Sequence, residues 1–594
     1  MANIKVTYAD AQAAVDAVSG ANNLVKTNFG SESTSPSITS GLNIQYFSTM
    51  KTYANTITEK VDSCVTGANT YLQQLAAAGN TPPTTEGADY GGGADVDETD
   101  GADTTGKRFS ELIAALEALL KSGAISEATK AAILELLNAL KALEEAGTID
   151  PKTLASILEA VQELLELAKA GGISDEALAA AIAAIADLVA LAEAGGISDE
   201  ALTAAIAAIT ELTDLLKEGT ITEAAFTKSV ETIGELAALL KEGTITEAAF
   251  TKSVETIGEL AALVKEGTIT EEAYTEAIET INSLGDLVAD GKIEEASFTQ
   301  AIEAISTLSA LVAEGELSEK AFTETIETIS TLSDLVAEGE LSEKAFTETI
   351  DTIQGVEDLV TDGKITEPTY ISTIESIKGL EELVGDGKIK EETYVFTVET
   401  IKSLEELVAA ELLTEKAYAA TIDHIKYLEE LLKNGMIDEE FFKAEIERIN
   451  SMAELLKEGK ISLELFETSI DTSKKMSEMY SQGKITIEQY KDYLMVDQRN
   501  TKLYKEGTIT ATAYSKTVEA MNRLAKNTIE EKVTYEEFGS VTSDINDYLK
   551  DIGEGNAKEE DYIGAINNFE SALDEIEGRY IEIDMGPGTE PDSQ

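Results

Sequence analysis

KEGTITEAAFTKSVETIGELAALL fills residues 217–240, and KEGTITEAAFTKSVETIGELAALV follows at 241–264. The copies share 23 of 24 residues, so one structure must serve both. Glycine sets the phase: Gly219, Gly243 and Gly267 belong to a 24-residue series from Gly123 to Gly555. Only Glu411 and Glu531 replace glycine in it, which gives 19 units across 123–578 without insertion.

Each unit carries its own start and stop signals. An aliphatic residue follows the glycine by two, as at Ile221 and Ile245, and the next position is Ser, Thr or Asp in 16 of the 19 units. Thr222 and Thr246 are therefore N-caps, whose side chains accept from free N–H groups of the first helical turn. Four residues later the last 15 units carry an aromatic, beginning with Phe226, Phe250 and Tyr274. An apolar residue before the cap packing on another at the fourth helical position is a hydrophobic staple. Glycine supplies the left-handed residue that ends a helix. Pro151 and Pro368, just after caps Asp150 and Thr366, agree with this phasing, because a first turn tolerates a missing N–H. One unit is then one helix of about 20 residues and a short turn. Phe226, Val230, Ile233, Ala237 and Leu240 mark its apolar face, widened by Leu236 and Leu239. Such helices need neighbours, and side-by-side stacking of all 19 would span on the order of 150–200 Å. The Ala-rich early units should pack more tightly than the later ones.

Around this array the composition changes. Residues 1–78 carry five acids and four lysines and read as a helical hairpin (roughly 8–26 and 47–77). Residues 79–107, rich in Gly, Pro, Thr and Asp, read as a flexible acidic linker. A capping helix is expected near 108–122 and a tail at 579–594. The expected fold is all-α: an elongated α-solenoid of about 19 single-helix 24-residue repeats behind a hairpin and linker.

With 112 acidic against 45 basic residues, the formal charge is −67. That repels nucleic acid and anionic lipid and permits diffuse cation association. No stretch approaches 18 uninterrupted apolar residues, so no membrane insertion is expected. A Sec signal is not apparent at the N-terminus. Localisation stays open, with an extracellular or cell-surface site reached by a non-Sec route favoured over the cytoplasm.

The string LKEGTITEAAF (216–226), with its flanking apolar spacing, resembles the SHOCT motif, a short module of pattern Leu-x-x-Leu-x-x-x-Gly-x-Ile-Thr-x-x-x-Phe. The resemblance covers nearly every unit and implies a helix–turn–helix with an interaction or oligomerisation role and no catalytic residue. Residues 1–78 resemble the helical-hairpin substrates of type VII secretion, marked by Trp-x-Gly at the turn. This chain departs from that pattern: it has no tryptophan, and Phe29-Gly30 lacks the spacer. That family's Tyr-x-x-x-Asp/Glu export tag fits Tyr580 with Asp584 and Tyr493 with Asp497, a match that 19 tyrosines among so many acids produce by chance.

Candidate chemistry is sparse. His424, the only histidine, reads as a helix-surface residue, and histidine triads are excluded by the count. Cys64, the only cysteine, reads as a small core residue. VTDGKITEPTY (360–370) suggests half of an EF-hand loop, but Val360 cannot ligate and Thr369 stands where the closing Glu should be, so Asp362-Gly363 reads as a helix terminus. No enzyme activity, cofactor or specific metal is expected. The expected function is a structural rod or spacer and protein-interaction scaffold, binding protein partners or itself. The alternative is a type VII-like secreted effector or adhesin exported through its hairpin.

Overall fold

The computed structural model describes residues 98–584, with side chains from 106 to 577. The hairpin expected over 1–78, Cys64, linker residues 79–97 and residues 585–594 lie outside the described residues. Packing divides the chain into Met1–Ser110 and Glu111–Gln594, and the repeats form the second unit.

Twenty α-helices and no strand make up the described residues. They are α1 (Glu98–Ser122), α2 (Glu127–Ala146), α3 (Pro151–Ala170), α4 (Asp175–Glu193), α5 (Asp199–Glu218), α6 (Glu223–Glu242) and α7 (Glu247–Glu266). Next come α8 (Glu271–Ala289), α9 (Glu295–Ala313), α10 (Glu319–Glu338), α11 (Glu343–Thr361), α12 (Glu367–Gly385), α13 (Glu391–Ala409) and α14 (Glu415–Lys433). The array closes with α15 (Glu439–Lys457), α16 (Leu463–Ser481), α17 (Ile487–Lys505), α18 (Ala511–Ile529), α19 (Tyr535–Gly553) and α20 (Glu559–Asp584).

The phasing holds at atomic detail. Thr222 is extended (φ −77°, ψ 163°) and its side chain accepts from the Ala225 N–H. Gly219 is left-handed at φ 73°, and Thr220 N–H returns to Leu215 O at 2.9 Å, closing the Schellman turn. Two boundaries are corrected. Helix α1 begins at Glu98, ten residues inside the expected linker. Helix α20 runs to Asp584, six residues into the expected tail.

Helices do not stack in single file. Outside α14 and α15, helices of the array pack far more closely on the helix two along than on the successor. The three-residue turns reverse the chain, so helices two apart run parallel, and even-numbered and odd-numbered helices form separate layers. With ten helices, α2 to α20, in one layer, the array spans roughly 70–90 Å before any coiling, about half the single-file expectation.

Different residues serve the two contacts. All 15 aromatics from Phe226 to Tyr562 are fully buried, as are Val230, Ile233, Leu236 and Ala237 of the expected face, whereas Leu240 at its end is half-buried. Small residues, such as Ala225, Ser229 and Thr232, are buried as well, and this column meets the helix two along. Ser229 Oγ lies 2.6 Å from Tyr274 Oη, and Thr153 Oγ1 lies 3.0 Å from Thr203 Oγ1. The closest same-layer approach joins Ala-rich α4 to α6, where Gly234 faces Ala184.

Where glycine is missing, Glu411 and Glu531 adopt the same left-handed backbone, both at φ 59°. That conformation costs a side chain about 1–2 kcal/mol, partly offset by glycine's greater freedom when unfolded. Glu411→Gly should therefore stabilise the chain by about 0.5–1 kcal/mol in denaturant unfolding. An unchanged midpoint would contradict the strain.

Candidate functional site

The repeat positions singled out by the sequence lie at helix ends and in the core. Ile221 and Ile245 are 2% exposed, Phe226, Phe250 and Tyr274 fully buried, and Thr222 and Thr246 cap their helices. Gly219, Gly243 and Gly267 end the preceding ones. These residues line successive rungs and converge on no common point. At the rejected calcium loop, Asp362 pairs with Lys364 at 2.9 Å and Gly363 is left-handed, as a helix terminus requires. No cluster of His, Cys, Asp and Glu suited to a metal occurs among the described residues.

A feature absent from the sequence reading ties the helices of each layer together. The acid that opens helix n+2 accepts the N–H of the cap residue of helix n. Thr222 N–H meets Glu271 at 2.7 Å, Thr246 N–H meets Glu295 at 2.8 Å and Thr366 N–H meets Glu415 at 2.7 Å. Twelve such clasps join residues 49 apart. Burial works against the charge on Glu415, yet bonds from the Thr366 side chain and N–H and from Thr369 hold its carboxyl below the ordinary value. The same Glu therefore repairs a helix end and fixes the register of its parallel neighbour.

The clasp lapses where helices open on Leu463, Ile487, Ala511 and Tyr535, so caps Thr414, Asp438, Ser462 and Thr486 lack it. Thr486 is satisfied instead by a capping box with Gln489. Within that stretch, α14–α16 and α15–α17 are the most thinly packed same-layer pairs. A groove of about 470 Å³ opens between α15 and α17, lined by Arg448, Ser451, Gln498 and Lys502.

Beside it lies a buried polar core. His424, expected on the surface, is fully buried, with Nε2 3.2 Å from Ser473 Oγ. The correction follows from the period: residue 424 continues the buried small column of Thr352, Ser376 and Thr400. The next member is Arg448, 2% exposed, whose Nε donates to Glu445 at 2.9 Å and Nη1 to Ser469 at 2.9 Å. Burial drives His424 down to about 4, against the pull of Glu445. Glu445 stays below the ordinary carboxyl range despite burial, because Arg448 favours its charge. Asp497, 3.8 Å from Arg448, is pushed up by burial and by Glu445. With Tyr493 it lies buried inside α17, so that tag-like pair is core.

The last departure is a column of acids. Glu357, Glu381, Glu405 and Glu429 occupy one register of α11 to α14 and are at most 6% exposed. The same register holds Ala261, Gly285, Ser309 and Ser333 before them and Ala453 and Ser477 after. Both carboxyl oxygens of Glu357 and Oε1 of Glu405 have no hydrogen-bond partner. Glu429 Oε1 accepts from Ser376 Oγ at 2.6 Å. Gly355 and Gly379 make room two helices back, for a Cβ on either would come within 2.5 Å of Glu405 or Glu429. Burial raises the pKa of all four, well above the ordinary value for Glu357, Glu381 and Glu405 and to about 8 for Glu429. A buried carboxyl without a cation is more stable protonated, since the desolvated charge is the costly form.

Helix α9 alone among the described residues has the length and composition to cross a membrane, and most of that stretch is buried within the array. No protein-family model matches the chain, and no match to it is found among curated proteins.

Proposed function

We infer that the chain is a non-enzymatic rod or spacer that presents a protein-interaction surface, with protein partners or further copies of itself as ligands. The observation that supports this reading is the ladder of twelve clasps. It holds parallel helices in register over most of the array and spends the recurring polar chemistry on geometry. Length is thereby set by the number of rungs, and the outward stripe of each helix, such as Glu231, Glu235 and Lys241 on α6, is left for solvent or partners. The SHOCT-like reading of the repeats adds an expectation of interaction or oligomerisation. The acidic surface favours basic partners and repels nucleic acid.

Deleting 217–264 removes two units and one rung, and it joins Leu216 to a lysine in the phase of Lys217. The variant should fold with unchanged helicity and shorten by roughly 10 Å in small-angle scattering. Both it and the full chain should co-purify with a stable protein partner or self-associate. If both remain monomeric and partnerless, the scaffold reading fails.

A further inference from the structure

We propose that α11 to α14 form a proton-controlled fastening: these helices stay closed on their same-layer neighbours while Glu357, Glu381, Glu405 and Glu429 carry protons, and they part when the four acids ionise. The inference rests on the fold and is independent of the proposed function.

Three observations converge on this segment. The first is the burial of four acids in successive helices with too few partners. The second is the engagement of the nearby cations elsewhere. Lys378 pairs with Glu324 and Glu327, Lys402 with Glu348 and Asp351 at 3.1 and 3.0 Å, and Lys426 with Glu375 at 2.6 Å. Each lysine thus bridges to the helix two back. The third is mechanical. Glu405 and Glu429 press on Gly355 and Gly379 of the helices two back, so water can reach either charge only if that same-layer contact parts.

The groups facing the column make ionisation harder. Asp358, Glu382, Glu406 and Glu430 each follow a column acid on its own helix, and Glu382 also faces Glu429 from α12. From the next helix along, Tyr370, Tyr394 and Tyr418 face Glu357, Glu381 and Glu405, and burial, then those carboxyls, raise the tyrosines too. Lys378, Lys402 and Lys426, the Tyr394 hydroxyl at Glu381 and the Ser376 hydroxyl at Glu429 act the other way without overcoming burial.

A carboxyl whose folded value is raised gives stability that is complete below its unfolded value, near 4.5. That contribution declines as pH rises and is gone above the folded value, about 8 for Glu429. Each such group shifts the opening equilibrium about tenfold per pH unit within its window. The fastening is therefore closed in mild acid and weakens as pH rises through the value of Glu429.

Hydrogen exchange of the full chain, corrected for intrinsic rates, tests this between about pH 6.5 and about pH 9. Peptides within 343–433 should lose protection at least about tenfold more than peptides within 223–313, where the same register holds small neutral residues. The quadruple variant Glu357→Gln, Glu381→Gln, Glu405→Gln and Glu429→Gln should abolish that difference. Parallel loss in both regions overturns the proposal, as does an unchanged difference in the variant. Should that variant fail to fold, Glu429→Ser, which restores the residue found at Ser333 and Ser477, should reduce the difference; no reduction would be equally fatal.

Discussion

Arg448→Met should destabilise the chain by about 3–5 kcal/mol, because it strips the cation from a fully buried Glu445 and leaves that carboxylate with the Ser473 hydroxyl and no counter-charge of its own. The loss should appear as a lowered midpoint in denaturant unfolding, with exchange protection falling first in α15 to α17. Removing both charges as Arg448→Met with Glu445→Leu should recover most of it, since a buried pair replaced by apolar residues of similar volume is often neutral. If the single variant matched wild type, the guanidinium would not be holding this part of the core. If the double variant were as unstable as the single, hydrogen-bond geometry would matter more than charge.

Phe322→Ala should cost a similar amount, about 3–5 kcal/mol, by leaving a cavity between the layers at α10. Its larger signature is in cooperativity. Each helix contacts only near neighbours, so a weakened rung uncouples the array on either side. Calorimetry should show one transition broadening or resolving into two, whereas the same change in a globular core would lower a single transition. A sharp, merely shifted transition would mean that stability is spread along the whole array.

The helices were legible because every unit writes out its cap, staple and terminating glycine, and these act locally. Partnership was not, because a helical apolar stripe shows how much of a helix is buried and not against which neighbour. The pattern of small residues at Ala225, Ser229 and Thr232, beside the large Phe226, Val230 and Ile233, held that information. Two kinds of buried contact, one permitting close approach and one filling a wider gap, imply two layers. The acid after each cap was equally visible as Thr222-Glu223 or Thr270-Glu271, but its partner lies 49 residues away. His424 was misplaced because its local setting was read without its register; in that register, 24 residues after Thr400 and 24 before Arg448, burial follows. The column from Glu357 to Glu429 was hidden by the abundance of surface glutamate, although position within the period separates those four from the rest.

The clasps between helices two apart carry one more consequence. A protease that cuts a turn, for example beside Gly315, separates α9 from α10 in sequence. Yet α8 remains clasped to α10 through Thr270 and Glu319, and α9 to α11 through Glu294 and Glu343. The two fragments are interleaved like the fingers of folded hands. A nicked chain should therefore migrate as one particle in native solution and fall apart only on denaturation, and separately made halves should find each other again.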